Sequence, residues 1–360
     1  MQGMRIAYII NTFEGGGAAL PIPAIADVFR RHGNEVHVAA ICRRNGRALP
    51  VLHAAGVPAT VLGADDAPIP QQLHRLDAWV RSIRPTHLWT SLTRATLLGE
   101  LVGARQRIPV VSWQHNAFLR PANLMLLRAM KNLSQVWVGD SAYVTALTRQ
   151  KLDLPASRVM CWPIFRAWPD TAPAPEWRAG QVVQIGSLGR LHGSKGYDVL
   201  CRALVHLRDV PGLSPYRVVI GGEGAEHDRL QAFCHRHGLS NVRFAGYVED
   251  VQSFLRQCHM YVQPSRYEGF CIAAHEGMNM GLPVVGSAVG EMNQSIVDGV
   301  TGWKVAPGRP RQLADRLEAA LRNPAQLADM GHVAREWGMR TFSARAFDAA
   351  GAAILRRMDT

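Results

Sequence analysis

The segment PSRYEGFCIAAHEGMNMGLPVV carries two glutamates, Glu268 and Glu276, separated by seven residues. If a helix begins near Phe270, its rise of ~1.5 Å per residue places the carboxylates up to ~12 Å apart, too far for an acid/base pair. The N–H groups of Phe270, Cys271 and Ile272 at the helix start lie between them and favour an anion. We therefore predict a diphosphate at the helix start, with one carboxylate near a sugar and the other near a ribose.

A second set of polar residues follows the first predicted strand of the second half. The sequence GRLHGSKG places Arg190 and Lys195 in a flexible turn, where two cations can be aimed at one anion. Charge-assisted hydrogen bonds of this kind contribute roughly 1.5–3 kcal/mol each. A basic turn can also be merely solvated, but the strand before it and the glutamate motif after it favour a diphosphate site.

The elements that must position these residues alternate between strands and helices. Residues 4–11 form a predicted buried strand, followed by the glycine turn 15–17, a helix over 22–32 and a strand over 35–41. This order is a βαβ unit and predicts a parallel sheet. Further apolar runs extend the first predicted domain over residues 1–165.

The second half repeats the pattern. Residues 166–179 are rich in proline and lack periodicity, which predicts a linker. Short apolar runs then predict a second domain over 180–340, and residues 341–360 a C-terminal helix that could pack back on the first domain. The predicted fold class is α/β, with two Rossmann-like doubly wound domains facing across a cleft at the carboxyl ends of their strands.

Composition fits a two-domain enzyme. Of 360 residues, 48% are hydrophobic and 19% are charged, which excludes a disordered chain. No apolar run approaches the ~20 residues that cross a bilayer, and the six cysteines include no C-x-x-C pair. We therefore expect a cytoplasmic protein with reduced thiols. The net charge of +12 is concentrated before residue 165, with 18 basic and 9 acidic side chains, and suits nucleic acid, anionic lipid or a phosphorylated substrate.

Six motifs of the second half, in this order and spacing, resemble those of the large family-four group of retaining nucleotide-sugar glycosyltransferases. These enzymes have the GT-B fold of two Rossmann-like domains. The motifs are GRLHGSKGYDVL, VVIGGEG, VRFAGYVEDV, the Glu268 to Glu276 segment, GLPVV and DGVTGWKV. The first domain matches at fewer points, namely IIN before the glycine turn and the later WQHN.

The resemblance implies a role for each matching residue. Arg190 and Lys195 hold the diphosphate. Glu268 contacts the transferred sugar and Glu276 the ribose. His115 matches a family histidine that touches the transferred sugar, although an ordinary core or surface histidine is the alternative, so the implied catalytic residues are Glu268 and His115. The other implied donor-binding residues are Gly269, Phe270, Cys271 and Ile272 through their amides, Tyr247 and Val248 beside the base, and Gly16 of the first domain.

The chain departs from the family pattern at SAVGEMNQSIVDG. Glu291 occupies the family's second glycine position, and Asn293 and Gln294 stand where proline and glutamate are usual. The departure bears on sugar choice or loop conformation. The histidines are dispersed and no D-x-D ends a strand, so we expect no metal and no other cofactor, the nucleotide sugar being a substrate.

Residues 119–133, LRPANLMLLRAMKNL, could form a helix at a membrane interface, with Leu124, Leu127, Met130 and Leu133 as helical neighbours. An ordinary helix covering the first sheet is the alternative. The positive charge of the first half favours an anionic membrane surface as a partner. This predicts a peripheral position on the inner face of the cytoplasmic membrane.

We therefore predict a metal-independent hexosyltransferase that moves a hexose from a nucleoside diphosphate sugar to a saccharide hydroxyl with retention. The predicted acceptor is lipid-linked or a precursor of lipopolysaccharide or exopolysaccharide. A nucleotide-sugar epimerase or a phosphorylase on the same fold is one alternative. A basic nucleic-acid-binding protein is another, but the sequence has no recognition helix or aromatic RNA-binding signature, and we expect no nucleic-acid partner.

Overall fold

The computed structural model describes residues 3–115 and 118–359, so Asn116 of the WQHN motif lies outside the described residues. The chain divides into two compact units. Unit 1 comprises Met1–Arg166 together with Ala344–Thr360, and unit 2 comprises Ala167–Ser343.

Unit 1 is built on a parallel sheet with helices between its strands. The strands are β1 (Arg5–Thr12), β2 (Glu35–Cys42), β3 (Ala59–Val61), β4 (His87–Ser91), β5 (Val110–Gln114), β6 (Ser134–Gly139) and β7 (Val159–Cys161). The helices between them are α1 (Ile22–Arg31), α2 (Leu49–Ala54), α3 (Ile69–Ile83), α4 (Thr93–Gln106), α5 (Pro121–Met130) and α6 (Ala142–Leu152). The strand order is β3-β2-β1-β4-β5-β6-β7, so the direction of winding reverses between β1 and β4.

Buried apolar runs explain the central strands of unit 1. Ile6, Ile9 and Ile10 have no exposed surface in β1, as expected of a parallel strand that is covered on both faces. Aromatic rings of neighbouring elements pack into one cluster, with Trp89 edge-on to Trp113 at a centroid distance of 5.5 Å. The predicted first βαβ unit is therefore present.

Unit 2 repeats this architecture. Its strands are β8 (Val183–Leu188), β9 (Tyr216–Gly221), β10 (Val242–Gly246), β11 (Met260–Gln263), β12 (Val284–Ser287) and β13 (Gly302–Val305). Its helices are α7 (Tyr197–Leu207), α8 (His227–Arg236), α9 (Val251–Leu255), α10 (Ile272–Asn279), α11 (Met292–Ser295), α12 (Pro310–Arg322) and α13 (Gln326–Thr341). The parallel order is β10-β9-β8-β11-β12-β13, which reverses between β8 and β11. Leu313, Leu317 and Leu321 of α12 are buried in the core of this unit, as their spacing predicts.

The last helix, α14 (Ala344–Met358), is part of unit 1. Phe347 packs on Trp162 at a centroid distance of 5.2 Å, and Arg31 of α1 donates two hydrogen bonds to Asp348, of 2.8 and 2.9 Å. The proline-rich segment from Ala167 to Gly180 has neither helix nor strand and is bonded to unit 2, where the Ala174 N–H donates to the Met280 carbonyl at 2.7 Å. Within the described ranges, no helix is long and apolar enough to span a bilayer.

Candidate active site

The predicted diphosphate- and sugar-binding residues of unit 2 follow β8 and β11, the two strands between which the sheet order reverses. The loop after β8 runs over residues 189–196, and the loop after β11 over residues 264–271. In parallel sheets, the carboxyl ends of strands at such a point form a crevice that binds ligands. The fold therefore places both sequence motifs at the expected edge of the sheet.

The two loops meet at an ion pair. The Lys195 Nζ lies 2.7 Å from the Glu268 Oε1, and the Ser265 hydroxyl donates to the same oxygen at 2.6 Å. Burial by itself lowers the pKa of Lys195, but the charge and hydrogen bond of Glu268 outweigh it and raise that pKa. The structure thus brings together the Lys195 ammonium group and the carboxylate of Glu268, which is predicted to contact the transferred sugar.

Glu268 is bonded to a buried chain of hydrogen bonds that starts at the end of β8, and sequence reasoning missed this chain. The Leu188 N–H donates to the Tyr261 hydroxyl at 2.9 Å, Tyr261 donates to the Gln263 Oε1 at 2.9 Å, and the Gln263 amide donates to Ser265 at 2.8 Å. Ser265 completes the chain at Glu268. The signal was available in MYVQPS, where polar residues end a strand that is otherwise apolar.

Helix α10 begins at Ile272, so the expected start near Phe270 was two residues too early. Cys271 has a φ of +66°, which lies in the left-handed region and cannot continue a right-handed helix. The Phe270 side chain is buried against His275, at a centroid distance of 4.2 Å. The side chains of Phe270 and Cys271 are buried, so only the backbone of these two residues could face a ligand. The first N–H groups of α10 have no intrahelical acceptor.

Glu276 is the fifth residue of α10 and is half-buried. Burial raises the pKa of its carboxyl from 4.5 to about 7. Within the described part of the chain, no side chain forms a hydrogen bond or ion pair with it. A carboxylate kept in a partly desolvated position without a cation is a typical ligand-binding group.

The other predicted donor-binding residues of unit 2 lie at neighbouring strand ends. Arg190 lies in the loop after β8, is exposed, and has no ion-pair partner among the described residues. Tyr247 and Val248 follow β10 and are half-buried, and Val248 packs over the glycine that ends β9, Gly221. Their roles toward a diphosphate and a base stay predictions.

The segment that departs from the family pattern lies against the Glu268 loop. Gly290 has a φ of +58°, and a Cβ there would stand 2.3 Å from the Gly269 carbonyl oxygen, so this glycine is required. Glu291 has an ordinary φ of −66°, and its N–H donates to the Gly269 carbonyl at 2.9 Å. The backbone thus tolerates a side chain at 291, which is buried, whereas Asn293 and Gln294 are exposed.

In unit 1, His115 follows β5, and its imidazole lies between two residues that sequence reasoning missed. Its Nε2 lies 2.7 Å from the Ser91 hydroxyl at the end of β4, and its Nδ1 lies 3.4 Å from an Asp140 carboxylate oxygen after β6. All three side chains are buried. The signal was a polar residue at the end of each of three neighbouring strands. Contact of His115 with a sugar stays a prediction.

Gly16 lies in the turn between β1 and α1, and its carbonyl accepts from the N–H groups of Ala19 and Leu20, each at 3.1 Å. A Cβ at Gly16 would meet no atom within 4 Å. Packing in the protein therefore does not require glycine here, and the predicted approach of this backbone to a diphosphate is untested. In the residues that the structure describes, no cluster of three or more His, Cys, Asp or Glu side chains could hold a metal ion.

The segment over residues 119–133 contains α5, but two of the four residues predicted as neighbours on a membrane-facing helix, Leu124 and Leu127, pack inward. Leu127 is buried and Leu124 half-buried, because both pack into the core beside Trp137. The exposed apolar side chains are instead those on the opposite face and at the ends of the helix. They are Phe118, Ala122, Met125, Leu126, Ala129 and Leu133.

The solved structure of Anabaena Alr3699/HepE in complex with UDP-glucose has a TM-score of 0.82 to this chain at 19% identity, and the match covers 98% of this chain and 99% of that one. The fold is that of the GT-B glycosyltransferases, with two Rossmann-like α/β units, and the predicted fold class is confirmed.

Residues 175–337 match the family described as Glycosyl transferases group 1. The lipopolysaccharide core biosynthesis mannosyltransferase LpcC of Rhizobium leguminosarum bv. viciae is 34% identical over 147 residues, which cover 39% of this chain and 41% of that enzyme. The D-inositol 3-phosphate glycosyltransferase of Arthrobacter sp. is 25% identical over 366 positions, covering 89% and 85%. The chain spans about two fifths of the length of several curated relatives that it matches. Unit 2 thus carries the group 1 glycosyltransferase match that its motifs predicted.

Proposed function

We propose that this chain is a retaining hexosyltransferase that uses a nucleoside diphosphate sugar and a saccharide acceptor. The observation that carries the proposal is the Lys195–Glu268 pair at the point of sheet reversal in unit 2, followed in α10 by the unpaired carboxyl of Glu276. The UDP-glucose bound to the Anabaena neighbour supports a nucleotide-sugar donor.

The diphosphate binds to positive groups that the chain itself supplies. Arg190 is exposed and free to turn toward an anion, Lys195 carries a permanent charge, and the start of α10 presents backbone N–H groups. A diphosphate that shares the Lys195 ammonium weakens its pairing with Glu268. The Glu268 carboxylate then accepts hydrogen bonds from the hydroxyls of the sugar, while Glu276 accepts from the ribose.

The reaction exchanges one glycosidic bond for another. The bond between the anomeric carbon and the diphosphate oxygen breaks, and the acceptor oxygen attacks from the same face of the ring. The acceptor proton passes to the leaving phosphate oxygen, so no protein nucleophile is needed. Positive charge that develops at the anomeric carbon is stabilised by the Glu268 carboxylate, and negative charge on the leaving group by Arg190, Lys195 and the helix start.

The acceptor is proposed to be lipid-linked or a lipopolysaccharide-type saccharide, and the protein to bind it at an anionic membrane. Phe118 and Met125 are 59% and 66% exposed, and the exposed apolar residues of α5 recur at helical spacing. Arg128 and Lys131 flank this face and are bonded to carbonyls near the end of α6. LpcC, named as a mannosyltransferase of lipopolysaccharide core biosynthesis, supports the same class of acceptor.

The donor is tested by thermal stabilisation with UDP-, GDP- and dTDP-hexoses, followed by transfer from the best donor to a bacterial lipid extract. We expect one donor to raise the melting temperature and to yield a glycolipid whose anomeric configuration, read by proton NMR, matches that of the donor. Inversion would refute retention. Turnover that needs phosphate but no acceptor would instead indicate a phosphorylase, and interconversion of donor sugars an epimerase.

The membrane is tested by sedimentation with acidic and neutral liposomes. We expect binding to acidic vesicles that weakens as salt increases, and loss of binding when Met125 and Leu126 are both replaced by Glu. The matched control is Leu101→Glu, because Leu101 of α4 is equally exposed, at 44% against 45% for Leu126. Equal recovery of the double variant and the control would refute a role for this face.

A further inference from the structure

The loop that carries Glu268 also contains Arg266, which binds Asp198 at the start of α7. The two terminal nitrogens of Arg266 each donate to a different carboxylate oxygen of Asp198, both at 2.7 Å. Such a two-pronged pair fixes the orientation of both side chains as well as their distance. Arg266 therefore connects the loop after β11 to the helix that follows the loop after β8.

Arg266 also binds the turn in front of Lys195. Its Nη1 donates to the Gly193 carbonyl at 2.8 Å, and its backbone N–H donates to the Ser194 carbonyl at 2.7 Å. One residue thus holds the helical turn Gly193–Lys195 and the first acidic residue of α7 together.

The backbones of the same two loops are in direct contact at Gly196, the residue after Lys195. Gly196 has a φ of +67°, and a Cβ there would stand 2.0 Å from the Pro264 carbonyl oxygen. Only glycine allows this approach without displacing the loop. The position of the Lys195 backbone relative to Glu268 is therefore set by Arg266 on one side of the turn and by Gly196 on the other.

Asp198 has a second basic neighbour, which forms no hydrogen bond or ion pair with either loop in the described part of the chain. Arg202 lies on α7 one turn later, with its guanidinium 3.4 Å from Asp198, and its side chain is 55% exposed. The Asp198 side chain is only 13% exposed and that of Arg266 32%. Because the Arg266 pair is more buried, solvent screens it less than the Arg202 pair. Of these two arginines, Arg266 alone bonds to the turn within the described residues.

We propose that Arg266 and Asp198 are positioning residues for the donor diphosphate. They act through Lys195: by locking the turn Gly193–Gly196 on the Glu268 loop, they keep the flexible lysine side chain where it can serve both Glu268 and a phosphate. Neither residue needs to touch the donor. This inference rests on the proposed function of the site.

The test is a double-mutant cycle that measures affinity for UDP and GDP by calorimetry. We expect Lys195→Ala to weaken binding roughly ten- to hundredfold and Arg266→Ala to weaken it roughly tenfold. The double variant should bind about as weakly as Lys195→Ala alone, because Arg266 has no effect once the lysine is gone. Arg202→Ala should bind like the parent, and Arg266→Lys, which lacks the fork, should resemble Arg266→Ala.

Parental affinity in Arg266→Ala, or losses that multiply in the double variant, would overturn the proposal. If Arg266→Ala does not fold, Asp198→Asn and Arg266→Lys repeat the cycle with smaller changes, and their melting temperatures show whether a loss of affinity is separate from a loss of fold. Failure of the parent to bind any of UDP, GDP and dTDP would overturn the proposed function as well. That result differs from a parent that binds and a variant that is unaffected.

Discussion

Replacing Glu276 by Gln should make the ligand-free protein more stable at alkaline pH while weakening its affinity for nucleotide. The carboxyl has a pKa of about 7 in the folded protein against 4.5 normally, so the folded state favours the protonated form. The associated stability is present below about pH 4.5 and is lost as pH rises to about 7. At pH 8 the penalty is about 3 kcal/mol at most, since Glu276 is partly solvated. Glutamine fills the same space without this penalty.

The assay is a pair of melting curves and a pair of titrations. Unit 2 contains Ala167–Ser343, and for a domain of this size each kcal/mol shifts the melting temperature by roughly 2–4 °C. We expect the unit 2 transition of Glu276→Gln to melt up to roughly 6–12 °C above the parent at pH 8 and close to it at pH 4.5. Affinity for UDP or GDP should fall roughly ten- to hundredfold at pH 8, because a charge-assisted bond to ribose is lost. At pH 5.5, where the parent is also protonated, the difference should shrink.

Glu268→Gln is the control for stability, because Glu268 has a cation beside it. Removing that carboxylate leaves Lys195 without its partner, 2.7 Å away in the parent, and should lower the melting temperature at the same pH. A Glu276→Gln variant that is no more stable than the parent at pH 8 would refute the burial of an unpaired carboxylate. Unchanged nucleotide affinity at pH 8 would refute its role toward the ribose.

Three further predictions concern the proposed chemistry and the core of unit 1. Glu268→Gln should lower the turnover number at saturating donor more than it weakens UDP binding, because positive charge develops at the sugar only in the transition state; full turnover would contradict this role. A chelator should leave transfer largely intact, since Arg190, Lys195 and the helix start neutralise the diphosphate, and loss that added magnesium or manganese restores would contradict it. Glu100 is buried and accepts from Ser134 at 2.6 Å, and burial raises its pKa to about 8. The parent should therefore lose stability as pH rises toward 8, and Glu100→Gln should lose less in melting curves from pH 5 to 9.

The sequence by itself determined the strands and helices, and it determined which site residues lie close together along the chain. The apolar run IAYII is fully buried in β1, and strands of this kind and their βαβ order could be predicted from residue type alone. The Glu268 to Glu276 segment is equally local, because a single loop and helix carry both glutamates. The same holds for the spacing of Leu313, Leu317 and Leu321 in α12.

Tertiary structure decided which distant residues meet and which face of a helix is covered. Lys195 and Glu268 are 73 residues apart and bond only because β8 and β11 are neighbours at the reversal of the sheet. Ser91 and Asp140 meet His115 for the same reason, as the ends of adjacent strands. The apolar residues of α5 are found on several faces, and packing beside Trp137 selected the one that is buried. Spacing along a chain limits what a helix or strand can present, but strand order and packing decide what it contacts.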